Sequence, residues 1–159
     1  MNAERLHDMV EQMWVRTQCL DLCARYCQGV DHSDQDIFMS IWHPEGKYVV
    51  GRRQGVFAGT TELAQALDFV REAYASTHHW TTNHVVTRAG VDVAIGVSDS
   101  IAICVDHADR PHFVAATYQD DYVRHDGDWK IRRRVVRRWL VSEQVPVSLR
   151  HPETIAEQS

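Results

Sequence analysis

Leu6, Met9, Val10, Met13, Leu20, Ala24 and Cys27, with Thr17 in phase, recur close to every 3.6 residues and predict one long helix from about Ala3 to Gln28. Asn2 is placed to cap its first turn and Gly29 to end it. A short second helix is predicted from Asp34 to Trp42, where Ser33 and Asp36 make a capping-box pattern ahead of an apolar run. His43-Pro44-Glu45-Gly46 stops that helix and turns the chain. Lys47 to Val50 reads as a strand, followed by a Gly- and Arg-containing turn through Gly55. Thr60 or Thr61 opens a third helix, on which Leu63, Ala66, Leu67, Val70 and Tyr74 share a face.

After Ser76 the pattern changes to strands rich in Val, Ile, Thr and aromatics: His79 to Arg88, Val91 to Asp106, Pro111 to Arg124 and Trp129 to Val141. Ala89-Gly90, His107 to Arg110 and His125 to Asp128 separate them, and Asp126-Gly127 is a strong hairpin signal. Helices followed by a strand meander define an α+β class. Long strands wound round the early helices are expected to curl into a half-open cone with an interior cavity, a common place for a ligand. One domain is expected over residues 1–144. Residues 145–159, with two prolines and no period, read as a tail or an arm onto a neighbouring subunit.

The length of 159 residues, with 44% hydrophobic and 25% charged positions, suits one soluble domain with a real core. A formal charge of −5 argues against general affinity for nucleic acid or acidic membranes. No apolar run approaches the roughly 20 residues of a membrane helix, and the first residues lack the basic-then-apolar order of a signal peptide. A cytoplasmic location is the expectation. Cys19, Cys23 and Cys27 are spaced by four, so on a helix they form one stripe, read as small core residues facing the sheet.

Three segments could carry chemistry. Asp31 stands just past the first helix, where the dipole disfavours a negative charge and a compensating donor is wanted; it is otherwise an ordinary turn carboxylate. His78, His79 and His84 cluster at a strand start, but neighbours in a strand face opposite ways. His79, Thr81 and Asn83 then share one face, and His78, Trp80, Thr82 and His84 the other. No HExxH or other compact ligand pattern accompanies them, so no metal is expected, and a single histidine as proton carrier is the better idea. The last strand holds five arginines without a nucleic-acid recognition motif. Alternation puts Arg133 and Arg137 on one face with Trp129, Ile131, Val135 and Trp139, unless a bulge resets it.

The helix ending in GVD, the SIWHPEGKY segment, the THHWTTN strand start, the FVAATYQDDYVRHDGDWKI hairpin and the arginine-rich last strand together resemble the SnoaL-like branch of the nuclear transport factor 2-like superfamily. The resemblance spans roughly residues 15 to 142 and implies a cone-shaped α+β barrel with a deep pocket. Within the branch it is strongest to the dehydrochlorinase, scytalone dehydratase and bile-acid dehydratase groups of lyases. It implies Asp31 and His79 as a catalytic pair. Tyr26, standing where the dehydrochlorinases carry lysine, favours loss of water over loss of chloride. Arg133 and Arg138 are both candidates for a substrate-binding arginine.

Asn83, Phe38, Phe113, Ala115 and Thr117 are expected to face the pocket, from strand phase and resemblance together. The implied activity is a cofactor-independent lyase, with neither cofactor nor metal, acting on a small hydrophobic cyclic substrate. A polyketide-cyclase-type isomerase and a non-catalytic small subunit of a ring-hydroxylating dioxygenase are the alternatives. The relatives also imply a homotrimer.

Overall fold

The computed structural model describes residues 2–51 and 55–145. Helix α1 (Ala3–Asp31) is followed by α2 (Gln35–Ser40), strand β1 (Trp42–Val50), the short β2 (Val56–Ala58), α3 (Gly59–Ala73), and strands β3 (Ser76–Arg88), β4 (Val93–Val105), β5 (Pro111–His125) and β6 (Asp128–Val141). The expected tail lies outside the described residues apart from Val145. The strands form one curved sheet in the order β2-β1-β6-β5-β4-β3. All neighbours are antiparallel except β1 and β6, which run parallel. Asp126 and Gly127, with φ of 52° and 91°, make the left-handed turn expected of the β5–β6 hairpin.

The Asn2 side chain accepts from the Arg5 N–H at 3.0 Å and caps α1, as expected. The buried face of this helix is the expected cysteine stripe and not the row that begins with Leu6, Met9 and Val10. Val15, Cys19, Leu22, Cys23, Tyr26, Cys27 and Val30 are buried, whereas Leu6, Met9, Val10, Met13 and Leu20 are exposed. The cysteine stripe is therefore the core stripe. Hydrophobic period alone does not say which of two apolar faces meets the sheet.

Gly29 does not end α1. A Cβ there would stand 2.8 Å from the Phe38 backbone nitrogen, so its missing side chain lets α2 cross closely. The helix runs on two residues, and Asp31 becomes its last residue. Ser33 has φ of 55° in the link, and Asp34 rather than Ser33 caps α2, accepting from the Ile37 N–H at 2.9 Å.

The sheet's facing pattern departs from simple alternation at bulges. Register shifts fall between Thr82 and Val85 in β3, and at Ala115/Ala116 and Asp121/Tyr122 of β5 against β6. α1 packs against β3 and β6, α3 against β1 and β2, and α2 lies between the two longer helices. The core includes Phe38, Ile41, Trp42, Leu63, Leu67, Trp129 and Ile131. Above it, the concave face stays partly open.

Candidate active site

That opening is a cavity of about 110 Å³. One water needs roughly 10 to 15 Å³ on the same measure, so a small ring compound fits. Its walls are largely apolar: Val30, Val50, Phe69, Val114, Ala116 and Val136. Polar groups enter from distinct elements: Tyr26 from α1, Tyr48 from β1, Thr77 and His79 from β3, Tyr118 from β5 and Arg138 from β6.

The end of α1 brings Asp31 against the start of β3. His79 Nδ1 is 2.5 Å from Asp31 Oδ1, the His79 backbone N–H donates to Oδ2 at 2.8 Å, and the Thr77 hydroxyl donates to Oδ1 at 2.9 Å. Partial burial pushes the Asp31 carboxyl up, but the bonds from His79 and Thr77 outweigh it and hold the acid below its ordinary range. An ionised Asp31 requires a proton on Nδ1 of the neutral ring, which leaves Nε2 as the basic nitrogen of a cavity-lining histidine.

The Tyr26 and Tyr48 hydroxyls are 2.7 Å apart. Burial raises both phenols above their ordinary acidity range, so both stay protonated near neutrality. Burial also pushes the Cys104 thiol, on the cavity wall, up to about 12. It is an inert lining group at neutral pH.

Beneath the tyrosines lies a second polar layer. Arg134 is fully buried and grips Asp120 through Nε–Oδ1 at 2.8 Å and Nη2–Oδ2 at 2.7 Å. Its guanidinium stacks 4.5 Å from the Tyr26 ring centre and 4.7 Å from that of Tyr118. Nη2 also donates to Cys23 Sγ at 3.1 Å, and the Tyr122 hydroxyl donates to Asp120 Oδ2 at 2.7 Å. Arg134 thus fixes the floor on which Tyr26 stands.

Several residues expected at the pocket lie elsewhere. Asn83 sits in the β3 bulge with φ of 52°, exposed, its amide donating to Asp99 at 3.3 Å. The bulge turns His84 inward, to a Tyr122 hydroxyl 3.2 Å away. Arg133 is on the solvent side, 3.7 Å from Asp121, because the shift beside Tyr122 hands the inner positions to Arg134, Val136 and Arg138. Phe113, Ala115 and Thr117 have the opposite phase to Val114, Ala116 and Tyr118, which line the cavity. Thr117 instead donates to Asp99 at 2.8 Å. Phe38 is core behind Tyr26, with ring centres 6.1 Å apart. Tyr26, His79 and Arg138 do line one cavity, and Asp31 is bonded to His79.

Sequence reasoning missed Thr77, Tyr48, Tyr118 and Arg134. Thr77 was within reach, since it is two residues before His79 and shares its face. Among the described residues no group of three or more His, Cys, Asp or Glu side chains is arranged to hold a metal.

N-terminal helices packed on one curved six-stranded sheet that does not close define an α+β class. The chain belongs to the SnoaL-like domain family, which matches residues 11–135. It is 25% identical over 130 residues to hexachlorocyclohexane dehydrochlorinase 1 of Sphingobium indicum, covering 78% of this chain and 81% of that protein. The LinA-type3 dehydrochlorinase structure from Novosphingobium barchaimii superposes with a TM-score of 0.83 at 21% identity, covering 90% of this chain and 99% of that one. A proposed scytalone dehydratase from Novosphingobium aromaticivorans superposes with a TM-score of 0.78 at 16% identity, covering 91% and 96% of the two chains.

Proposed function

We propose that this chain is a lyase that eliminates water from a small hydrophobic cyclic substrate, with Asp31 and His79 as its catalytic pair. The observation that carries this reading is the buried Asp31 carboxylate bonded to Nδ1 of a histidine that lines an apolar cavity, with the Tyr26–Tyr48 pair in the same cavity. The dehydrochlorinase and dehydratase relatives support a lyase over a purely structural role.

In this reading His79 Nε2 takes a proton from a carbon acidified by a neighbouring carbonyl. The C–H electron pair becomes the new double bond as the C–O bond breaks. Tyr26, kept protonated by burial, supplies the proton that turns the departing hydroxide into water. The proton on His79 then returns to the tyrosine through solvent, so the net change is substrate to alkene plus water. Asp31 holds the tautomer and stabilises the imidazolium. The chemistry needs no group beyond these side chains.

The test is conversion of 3-hydroxy-1-tetralone, a β-hydroxy ketone whose dehydration gives fluorescent 1-naphthol. Wild-type protein should accelerate naphthol formation, and His79→Ala should not. Deuterium entering the carbon beside the carbonyl without any naphthol would favour the isomerase alternative. Neither exchange nor product above the buffer rate would sink both.

Assembly belongs to the same reading. Trp80, Val85, Ile95, Val97 and Ile101 are exposed on the outer side of β3 and β4, with Trp80 beside Ile101 and Val85 beside Val97 in register. An apolar face of this kind fits contact between copies in a homo-oligomer, the trimer of the resemblance being the expected form.

A further inference from the structure

The arginines of β6 divide sharply by partner. Arg132 pairs with Glu45 at 2.9 Å, Arg133 with Asp121 at 3.7 Å and Arg134 with Asp120 at 2.7 Å. Arg138 lines the cavity, and no carboxylate of the described residues forms an ion pair with it. Tyr48, Tyr74 and Cys104 are its polar neighbours on the cavity wall, with Val114, Ala116 and Val136 among the apolar ones. A half-buried guanidinium against apolar walls loses hydration without a compensating anion. Its planar fork matches a carboxylate in two-point geometry.

The register sets where that fork lies relative to the proposed base. Arg138 pairs with Ala116, Ala116 with Ser100, and Ser100 with Thr81, two residues along β3 from His79. Arg138 and His79 are therefore three strands apart across the cavity. In a flat sheet three intervals of about 4.8 Å would separate the backbones by roughly 14 Å. Curvature and the inward reach of both side chains bring them closer than that, facing one shared cavity.

We infer that the substrate carries a carboxylate at the end of its ring system remote from the proton taken by His79, and that Arg138 holds it. The assignment of the remote end rests on the lyase reading above; the binding of a carboxylate by Arg138 does not. Arg138 is then a specificity-determining residue. Cyclic acids are preferred over neutral rings of the same shape, and the anchored carboxylate sets which C–H faces His79.

The experiment is calorimetric titration of the purified full chain with 2-naphthoate and with 2-naphthamide, which differ in charge but hardly in shape. Wild-type protein should bind the acid about ten- to hundredfold more tightly, the range of a charge-assisted hydrogen-bond pair. Arg138→Met keeps the apolar stem and should erase the difference. Arg138→Lys should keep part of it, and Arg137→Met, on the solvent side, all of it. His79→Gln should leave the preference intact while abolishing naphthol formation, so failure of the lyase reading and failure of this one are separable. Equal binding of acid and amide by wild type, no binding of either at millimolar concentration, or a preference that survives Arg138→Met would overturn the inference.

Discussion

Asp31 Oδ1 and His79 Nδ1 lie 2.5 Å apart, and the same carboxylate also accepts the His79 backbone N–H. Side chain and main chain of one residue thus fix both oxygens of the acid. The ring cannot turn away without losing a charge-assisted bond, nor the strand start shift without losing the other. Such double fixing holds a base within the tolerance acid–base catalysis needs. His79→Ala and Asp31→Asn are each expected to lower tetralone dehydration by about 10² to 10⁴. Thermal melts and far-UV dichroism should show both variants folded. Full activity in either would remove the pair from the mechanism.

Asp31 also links stability to pH. Its folded carboxyl lies below the ordinary value of 3.8, so the folded state binds this proton less readily than the unfolded chain. The stabilisation is therefore fully present above that ordinary value and is lost as pH falls through the lower folded one. Urea midpoints measured from neutral pH down into this acid window should fall more steeply for wild type than for Asp31→Asn. Parallel curves would mean that Asp31 contributes no linkage.

Thr77 is expected to position Asp31 rather than to touch substrate at the reacting carbon. Its hydroxyl donates to the oxygen that faces His79 Nδ1. Thr77→Val removes a bond to a charged acceptor, the kind worth about 1.5 to 3 kcal/mol, so the Asp31 carboxyl should titrate at higher pH. NMR titration of the Asp31 carboxyl carbon reads this directly. Thr77→Ser should restore the wild-type curve, whereas a merely space-filling role would leave the titration unchanged in both variants.

The element order was legible because long, periodic segments and turn dipeptides carry their own physics. The α1 helix, the four long strands and the Asp126-Gly127 turn all stand close to where pattern places them. Facing was harder to read. A bulge adds one residue to a strand without any mark in composition, and two of them sent Asn83 and Arg133 to solvent and brought His84 and Arg134 in. On β5, Ala115 and Ala116 are both buried, so no alternation existed there to set the phase. Asp31 and His79 were singled out through resemblance, and the structure sets the two side chains in contact; His79 lies before the β3 bulge, where strand alternation still holds. Tyr48 and Arg134 gave no local sign, since their role depends on which rings a distant strand brings beside them.

The Arg134–Asp120 pair should prove costly to break singly. Both groups are buried, and Asp120→Asn leaves a guanidinium without its counter-charge. Loss of one partner from such a pair costs about 3 to 5 kcal/mol. Joint replacement, Asp120→Asn with Arg134→Met, should cost less than the sum of the single changes, because no orphan charge remains. Urea denaturation of the four proteins makes the comparison. Additive losses would show that the two side chains act independently.

The outer face of β3 and β4 supplies the last expectation. Ile95 and Val97 alternate with inward Ala94, Gly96 and Ser98 and are about half exposed, at 50% and 45%. Full burial of such a side chain is worth about 1.5 to 3 kcal/mol, so at half exposure each forgoes about half of that, which contact between copies would recover. Ile95→Lys with Val97→Lys would place two desolvated charges in that contact without touching the cavity, which lies on the opposite face of the strand. Native mass spectrometry should find wild type as a homo-oligomer and the double variant as single copies that still melt cooperatively. A wild type that runs as one copy at micromolar concentration would mean that this face meets no second copy, and the exposed row would then need another partner to explain it.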